Sequence, residues 1–264
     1  MADPTPVDDA ADPRLAEYAG LNDPAGRRRT EARGGFFIVE GALAIERLLA
    51  LGTWPVRSVL VTPKMAARLP THGLEAPVYV AAPEVLEQVV GFDLHRGAVA
   101  SVTRPPPRDP AELVAGTRLV AVLEGVNDHE NLGALFRNAA AFGVEAMLLD
   151  PTTADPLYRR SVRVSMGHVL AVPFARLPSL PDGLAVLRAA GLTTVALTPA
   201  GPVPLRSLDP AELGPTAVLL GAEGPGLSPA VLDAADCRVH IPMQPGVDSL
   251  NVATAAAIAW HHLG

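Results

Sequence analysis

Strand-like and helix-like segments alternate along nearly the whole chain, and one proline run divides them into two sets. Before it, Phe36–Val39, Val56–Val61, Val78–Val80 and Ala98–Val102 are short, branched and apolar, which predicts strands. Gly41–Leu51 and Pro83–Val90 space their apolar residues as a helix face does, and Pro83 suits a first helical turn. Residues 104–117 then open with Arg-Pro-Pro-Pro-Arg-Asp-Pro. Consecutive prolines favour a stiff, extended connector. Five apolar runs follow: Leu119–Leu123, Ala146–Leu149, Thr193–Leu197, Ala217–Leu220 and Val239–Ile241. Helical patterns fill the gaps at Leu132–Phe142, Leu157–His168, Leu184–Ala190 and Pro229–Ala235, and a last helix covers Val252–His262. Ser228 before Pro229 is a natural helix cap. Continuous apolar strands separated by helices predict an α/β fold: a mostly parallel sheet with helices on both faces, preceded by a small α/β layer. Ligands of such sheets bind beyond the carboxyl ends of the strands.

This pattern divides the 264 residues into four parts. Residues 1–32 form a partly disordered extension, irregular over 1–13. Residues 33–104 form a small domain, 105–117 a linker and 118–264 the main domain. The net charge of −7 does not advertise nucleic-acid binding, so any basic surface has to be local. Arg27–Arg29 form one run, either a flexible arm or a charged linker. Arg159, Arg160 and Arg163 share one predicted helix face, as phosphate contacts or as an ordinary solvated surface. Lys64 is the one lysine among 21 basic residues, which reads first as coding bias. Cys237 is the sole cysteine, so no intrachain disulfide forms and a reducing compartment fits. Met1–Ala11 lacks the basic and apolar regions of a signal peptide, and no apolar run nears the roughly 20 residues of a membrane helix. The expected location is the cytoplasm.

Three polar segments in the second half each follow or end a predicted strand. The first runs from Glu124 through Asn131 to Arg137, opening a helix. Arg137 has only Gly133, Ala134, Ala140 and Ala141 at helical spacing, so no acid on its own helix can pair with it. The second is Gly221-Ala-Glu-Gly-Pro-Gly-Leu-Ser, whose glycines permit positive φ and close backbone approach. It matches neither the dinucleotide fingerprint nor a Walker loop. The third is Ile241-Pro-Met-Gln-Pro-Gly-Val-Asp-Ser-Leu-Asn-Val-Ala. Taken singly, the first two read equally as a surface arginine and as a tight turn with a surface Glu, and the third reads first as two helix-capping residues, Ser249 and Asn251.

Together and in this order they resemble the motifs of the SpoU class of SPOUT methyltransferases, the TrmH family: Asn131…Arg137, then Gly221-Ala-Glu223-Gly-Pro-Gly226-Leu, then Ser249-Leu-Asn251-Val-Ala. The likeness covers residues from about 118 to 264. Phe37-Ile-Val-Glu-Gly and Gly91-Phe-Asp-Leu-His-Arg-Gly-Ala-Val-Ala are similar to the family's substrate-binding extension, an L30e-like fold. One departure stands out. Members often carry Asp-Pro-Gly or Asn-Pro-Gly before the first Asn, and here the chain has Asp128-His-Glu, which bears on loop shape.

The resemblance implies a trefoil-knotted domain, a homodimer formed through it, and an RNA substrate methylated at a ribose 2′-hydroxyl. S-adenosylmethionine is the implied donor and S-adenosylhomocysteine the product; no metal is implied, and no His/Cys cluster suggests one. By position the donor falls to Leu197, Thr198, Gly201, Gly221, Gly226, Ile241, Met243 and Leu250. The catalytic set is Arg137, Asn131, Glu223, Ser249 and Asn251. RNA contacts fall to Arg159, Arg160, Arg163, His95 and Arg96, the last two otherwise an ordinary turn. Family reasoning gives Arg137 the task of activating the hydroxyl. A free arginine has a pKa near 13.8, so making it a neutral base at pH 7 costs roughly 9 kcal/mol. Stabilising an alkoxide or gripping a phosphate carries no such cost. Both roles stay open at this point, and ribosomal RNA is favoured over transfer RNA because the two-domain layout is the more similar. Two other readings remain: a non-catalytic RNA-binding member of the fold, and a nucleotide-binding α/β enzyme using the Gly221–Gly226 loop.

Overall fold

A computed structural model of the protein describes residues 4–71, 74–94 and 97–264. Backbone contacts divide the chain into two units: Met1–Pro105 with Leu157–Leu170, and Pro106–Pro156 with Ala171–Gly264.

The first unit holds a five-stranded sheet of β1 (Thr5–Pro6), β2 (Phe36–Glu40), β3 (Val56–Val61), β4 (Val78–Val80) and β5 (Ala98–Thr103), in the order β1-β4-β3-β5-β2. β5 runs antiparallel to both neighbours, while β3, β4 and β1 are parallel. The sequence pattern predicts irregular chain over 1–13. Instead Thr5–Pro6 adds an edge strand, and the Val7 amide extends it by donating to the Val80 carbonyl at 2.8 Å. The polar stretch that follows sends Leu15, Tyr18 and Leu21 into the core beside Ile38 and Leu60. Three apolar residues among many charges carry no periodic signal, yet they are enough to fix the segment.

The run Arg27–Arg29 is neither a flexible arm nor a linker. It lies in a helix, Pro24–Gly34, and Arg27 is 3% exposed. The predicted helix Leu157–His168 is also shorter than its pattern. It spans Arg159–Val164, then breaks at Met166 (φ 52°) and Gly167 (φ 78°) before a 3-10 turn, His168–Leu170. The break has a packing cause: a Cβ on Gly167 would sit 3.0 Å from the Ala44 Cα. Arg47 donates to the Met166 carbonyl, and the Trp54 indole donates to Leu170 O at 3.0 Å.

The second unit is a seven-stranded sheet of β6 (Leu119–Glu124), β7 (Ala146–Leu149), β8 (Phe174–Arg176), β9 (Thr193–Leu197), β10 (Val203–Pro204), β11 (Thr216–Gly221) and β12 (Cys237–His240). Their order is β10-β12-β9-β11-β6-β7-β8, and every neighbouring pair is parallel. The five apolar runs became strands as predicted. The two edges, β8 and β10, are too short to announce themselves. The core is aliphatic and includes Val120, Val122, Leu148, Leu187, Leu219 and Val231. Within the predicted extended linker, Pro110–Val114 is helical because Asp109 caps it, accepting from the Ala111 amide at 2.7 Å, and Val114 is buried. The consequence for function is register. β11 lies between β6 and β9, with Gly221 opposite Glu124, and β12 flanks β9. The carboxyl ends of four strands therefore stand side by side.

Candidate active site

The turns leaving β9, β11 and β12 enclose a cleft of about 390 Å³. Leu197–Pro199 line one side, Leu220–Gly224 and Gly226 another, and Ile241, Met243 and Ser249–Val252 a third, with Ala255 from the last helix. The walls are mostly backbone and aliphatic side chains. The turn after β11 is closed on itself: the Gly226 amide donates to the Ala222 carbonyl at 3.0 Å, and Gly224 and Gly226 take φ of 85° and 70°. A Cβ on Gly221 would lie 2.1 Å from the Gly226 carbonyl carbon. Only glycine fits there.

Gly201, expected against the donor, does not line the cleft. Its own Cβ position falls 2.4 Å from the Val239 carbonyl carbon, so it lets the loop lie flat on β12. The Gly201 carbonyl accepts from His240 Nδ1 at 2.7 Å, which fixes the proton on that nitrogen, and the Thr198 amide donates to Val239 O at 2.9 Å. Gly201 and His240 hold the loop that the neighbouring Thr198 presents.

Asn251 joins the three sequence segments in one place. Its Oδ1 caps the last helix, Val252–Leu263, accepting from Ala253 N at 3.0 Å and Thr254 N at 3.3 Å. Its Nδ2 donates one hydrogen to Asn131 Oδ1 at 2.8 Å and the other to Glu223 Oε1 at 2.7 Å. The side chain is therefore both a cap and a three-way bridge, and every donor and acceptor it has is oriented. Asn131 Nδ2 and Glu223 Oε2 keep no protein partner among the described residues. With Ser249, they are polar groups left facing solvent at the rim.

Local chemistry sets the first segment. Asp128 is the N-cap of helix His129–Ala141, accepting from Glu130 N and Asn131 N at 2.8 Å each, so the Asp-His-Glu departure still makes a well-capped helix start. Below it, Asp150 is 5% exposed and gathers the Gly125 amide, the Thr153 amide and the hydroxyls of Thr152 and Thr153. Burial pushes its carboxyl up, but these four hydrogen bonds outweigh it and hold the pKa below the ordinary value. Glu124 accepts from the Ser228 amide and hydroxyl at 2.8 and 2.7 Å, tying β6 to the turn after β11.

Arg137 is not brought into this cleft. It stands six residues beyond Asn131, about 9 Å along the helix and roughly 240° round it. It is exposed and has no hydrogen bond or ion pair among the described residues. Asn138, one residue on, donates to Ala253 O on the last helix at 2.8 Å.

Residues 118–261 match the SpoU rRNA Methylase family. The chain belongs to that family. An uncharacterized tRNA/rRNA methyltransferase of Mycobacterium tuberculosis is 44% identical, covering 98% of this chain and 93% of the relative. The 23S rRNA (guanosine(2553)-2′-O)-methyltransferase of Bacillus subtilis is 27% identical, covering 97% and 98%. Among solved structures, the AdoMet-bound rRNA methyltransferase of Sinorhizobium meliloti matches with a TM-score of 0.82 at 27% identity, covering 98% of this chain and 97% of that one.

Set beside the SpoU motifs, the cleft gathers Leu197, Thr198, Gly221, Gly226, Ile241, Met243 and Leu250, and its rim holds Asn131, Glu223, Ser249 and Asn251. Pro199, Ala222, Val252 and Ala255 also line it. Ala255 was legible as the residue one helical turn beyond Asn251; the others carry no signal of their own. Asp150, Glu124 and His240 support the site and were missed, although an Asp-Pro-Thr-Thr run at a strand end marks a side-chain-bonded turn.

The basic cluster expected to meet phosphate is differently employed. Glu40 is 5% exposed and accepts from Arg159 at 2.6 Å and Arg163 at 2.7 Å, and Arg159 also stacks 5.0 Å from the Phe92 ring. Two of the three arginines thus serve the packing of the first unit. Arg160 is exposed. His95 and Arg96 lie outside the described residues.

Proposed function

We propose that the protein transfers a methyl group from S-adenosylmethionine to a ribose 2′-hydroxyl of RNA, in ribosomal RNA. The observation that carries this reading is Asn251, which ties all three SpoU segments together at the rim of a backbone-walled cleft. The B. subtilis relative, whose name states 2′-O-methylation of 23S rRNA, supports the hydroxyl and the RNA class.

The cleft suits the donor. Its volume lies within the range of about 300–1,000 Å³ typical of small-molecule sites. Leu197, Leu220, Ile241 and Leu250 offer apolar surface to an adenine, while the glycine turn at Gly221–Gly226 leaves backbone groups open to its polar edges. Thr198 and Met243 complete the contacts, and Gly201 acts by holding the loop. When bound, S-adenosylmethionine supplies an electrophilic methyl on a sulfonium. Asn131 Nδ2, Glu223 Oε2 and the Ser249 hydroxyl orient the ribose at the rim. Arg137 works as a cation, gripping the phosphate beside the target and stabilising negative charge as the hydroxyl proton passes to water, the oxygen–methyl bond forms and S-adenosylhomocysteine leaves.

Because Arg137 is exposed and does not line its own cleft, it serves the cleft of a second copy. Glu130, Ala134, Arg137 and Ala141 form the outward face of their helix, and Ile258 is 39% exposed on the last helix. A homodimer through these two helices brings the arginine to its site. The reading includes the family's trefoil knot in the second unit and an L30e-like RNA-binding role for the first.

The test is methyl transfer from labelled donor to unmodified ribosomal and transfer RNA, followed by digestion to nucleosides. A labelled 2′-O-methyl nucleoside from ribosomal RNA is expected. Label on a base contradicts the ribose assignment, and label on transfer RNA alone contradicts the substrate.

A further inference from the structure

Helix Pro24–Gly34 is polar on all sides, which is unusual for a helix packed on a small domain. It is held by one inward ion pair. Arg27 and Glu31, 3% and 5% exposed, meet at 3.1 Å, and Arg27 Nη1 also donates to the Glu17 carbonyl at 2.8 Å. The Arg27 guanidinium lies 5.4 Å from the Phe36 ring. A buried ion pair gives no stability that apolar residues of similar size would not give. Neither face of this helix is therefore explained by folding alone.

The opposite face carries Arg28, Arg29 and Arg33, all exposed. None has an ion pair or hydrogen bond among the described residues, and the face holds no carboxylate, since Glu31 is turned inward. Charge is also unevenly shared. The first unit carries 14 basic and 13 acidic residues, and the second 7 and 15. In a chain of net charge −7, three unneutralised guanidinium groups exposed on one short helix stand out.

We propose that the outward face of helix Pro24–Gly34 binds the phosphate backbone of the RNA substrate. Guanidinium groups pair with phosphate oxygens through parallel hydrogen bonds, and the contact carries no base specificity. One further cation borders the helix end: Arg57 donates to the Gly34 carbonyl at 3.4 Å. Arg57 is already paired with Glu17, so the three unpaired arginines do the binding. The proposal rests on RNA being the substrate.

The experiment uses the full-length chain with Arg28, Arg29 and Arg33 all changed to Gln. Affinity for a transcript of unmodified ribosomal RNA is measured by fluorescence anisotropy from 50 to 200 mM salt, alongside methyl-transfer kinetics. Each lost phosphate contact lowers the slope of log affinity against log salt by about 0.7–0.9. The proposal predicts a slope smaller by roughly 2–3, a raised KM for RNA, and unchanged kcat and KM for the donor. An unchanged slope and RNA KM overturn it. Failure of the wild type to methylate RNA overturns the functional reading instead, and the binding slope still decides this face. Because all three side chains are exposed, an unchanged thermal midpoint separates lost binding from lost folding; a variant bearing Lys at the three positions, which keeps the charges, is expected to restore the slope.

Discussion

In the second unit the groups that matter are fixed: glycine turns, backbone amides, and one asparagine whose every hydrogen-bonding atom is used, with the Glu223 carboxylate bonded to it at the rim. In the first unit the conspicuous groups are arginines, some locked onto Glu40 and Glu31 and some left bare. A methyl donor is a defined small molecule and is best met by a rigid cavity, so selection of shape falls to backbone. A nucleic acid is a long polyanion and is met by charge, with little demand on shape. Arg137 is the exception, a bare cation on the acidic unit, and it does not line the cavity of its own chain.

That comparison is broken or sharpened by graded changes. The largest effect is expected for Arg137→Ala: methyl transfer falls by about 10²–10³ in kcat, as for loss of one preorganised charge-stabilising donor, while calorimetry finds donor affinity unchanged. Lost donor binding would show that Arg137 shapes the cavity after all. Next, Glu40→Ala strands the half-buried Arg159 and lowers stability by about 3 kcal/mol, read in urea, with donor affinity retained by the folded fraction. Gly221→Ala forces a Cβ against the Gly226 backbone, costing about 1–3 kcal/mol, so donor Kd rises roughly 10–100-fold with RNA affinity intact. Asn251→Asp separates two jobs: the carboxylate still caps the last helix, but it meets Glu223 with like charge and no hydrogens to give. Activity is expected to fall with a stability change of under about 1 kcal/mol, whereas Asn251→Ala loses the cap as well.

The smallest effect is on acid stability. Asp150 is held low by its four hydrogen bonds, and Asp236 first by the Thr194 hydroxyl and then by the Thr194 amide. Folded values below the unfolded one of about 3.9 mean that this stability is fully present above that pH and is lost as pH falls through the folded values. Acid unfolding of wild type should therefore steepen below about pH 4, and Asp236→Asn should flatten it.

Legibility in the sequence followed the same division. Interior strands were readable because both faces are buried and the apolar run is unbroken. β8 and β10 were not, since two or three residues at an edge leave no pattern. The three motif segments were readable because Gly, Asn and Glu sit at strand ends where chemistry is done. What escaped was long-range. Gly201 looks like a donor contact until Val239 is seen against it. Arg159 and Arg163 look like an RNA-binding pair until Glu40, more than a hundred residues earlier, claims both. The Pro24–Gly34 helix has no apolar stripe to betray it, because an ion pair does that work.

Mixing two inactive variants tests the central claim most directly. Arg137→Ala keeps the cleft and lacks the cation; Asn251→Asp keeps the cation and spoils the rim. If Arg137 acts in the cleft of a second copy, mixing after unfolding and refolding gives mixed dimers with one complete site. For random pairing, half of the dimers are mixed, and each mixed dimer has one of its two sites intact. Activity should therefore return to about a quarter of wild type. No recovery from two folded, mixed variants would place Arg137 in its own chain's site or outside the chemistry, and would contradict the account.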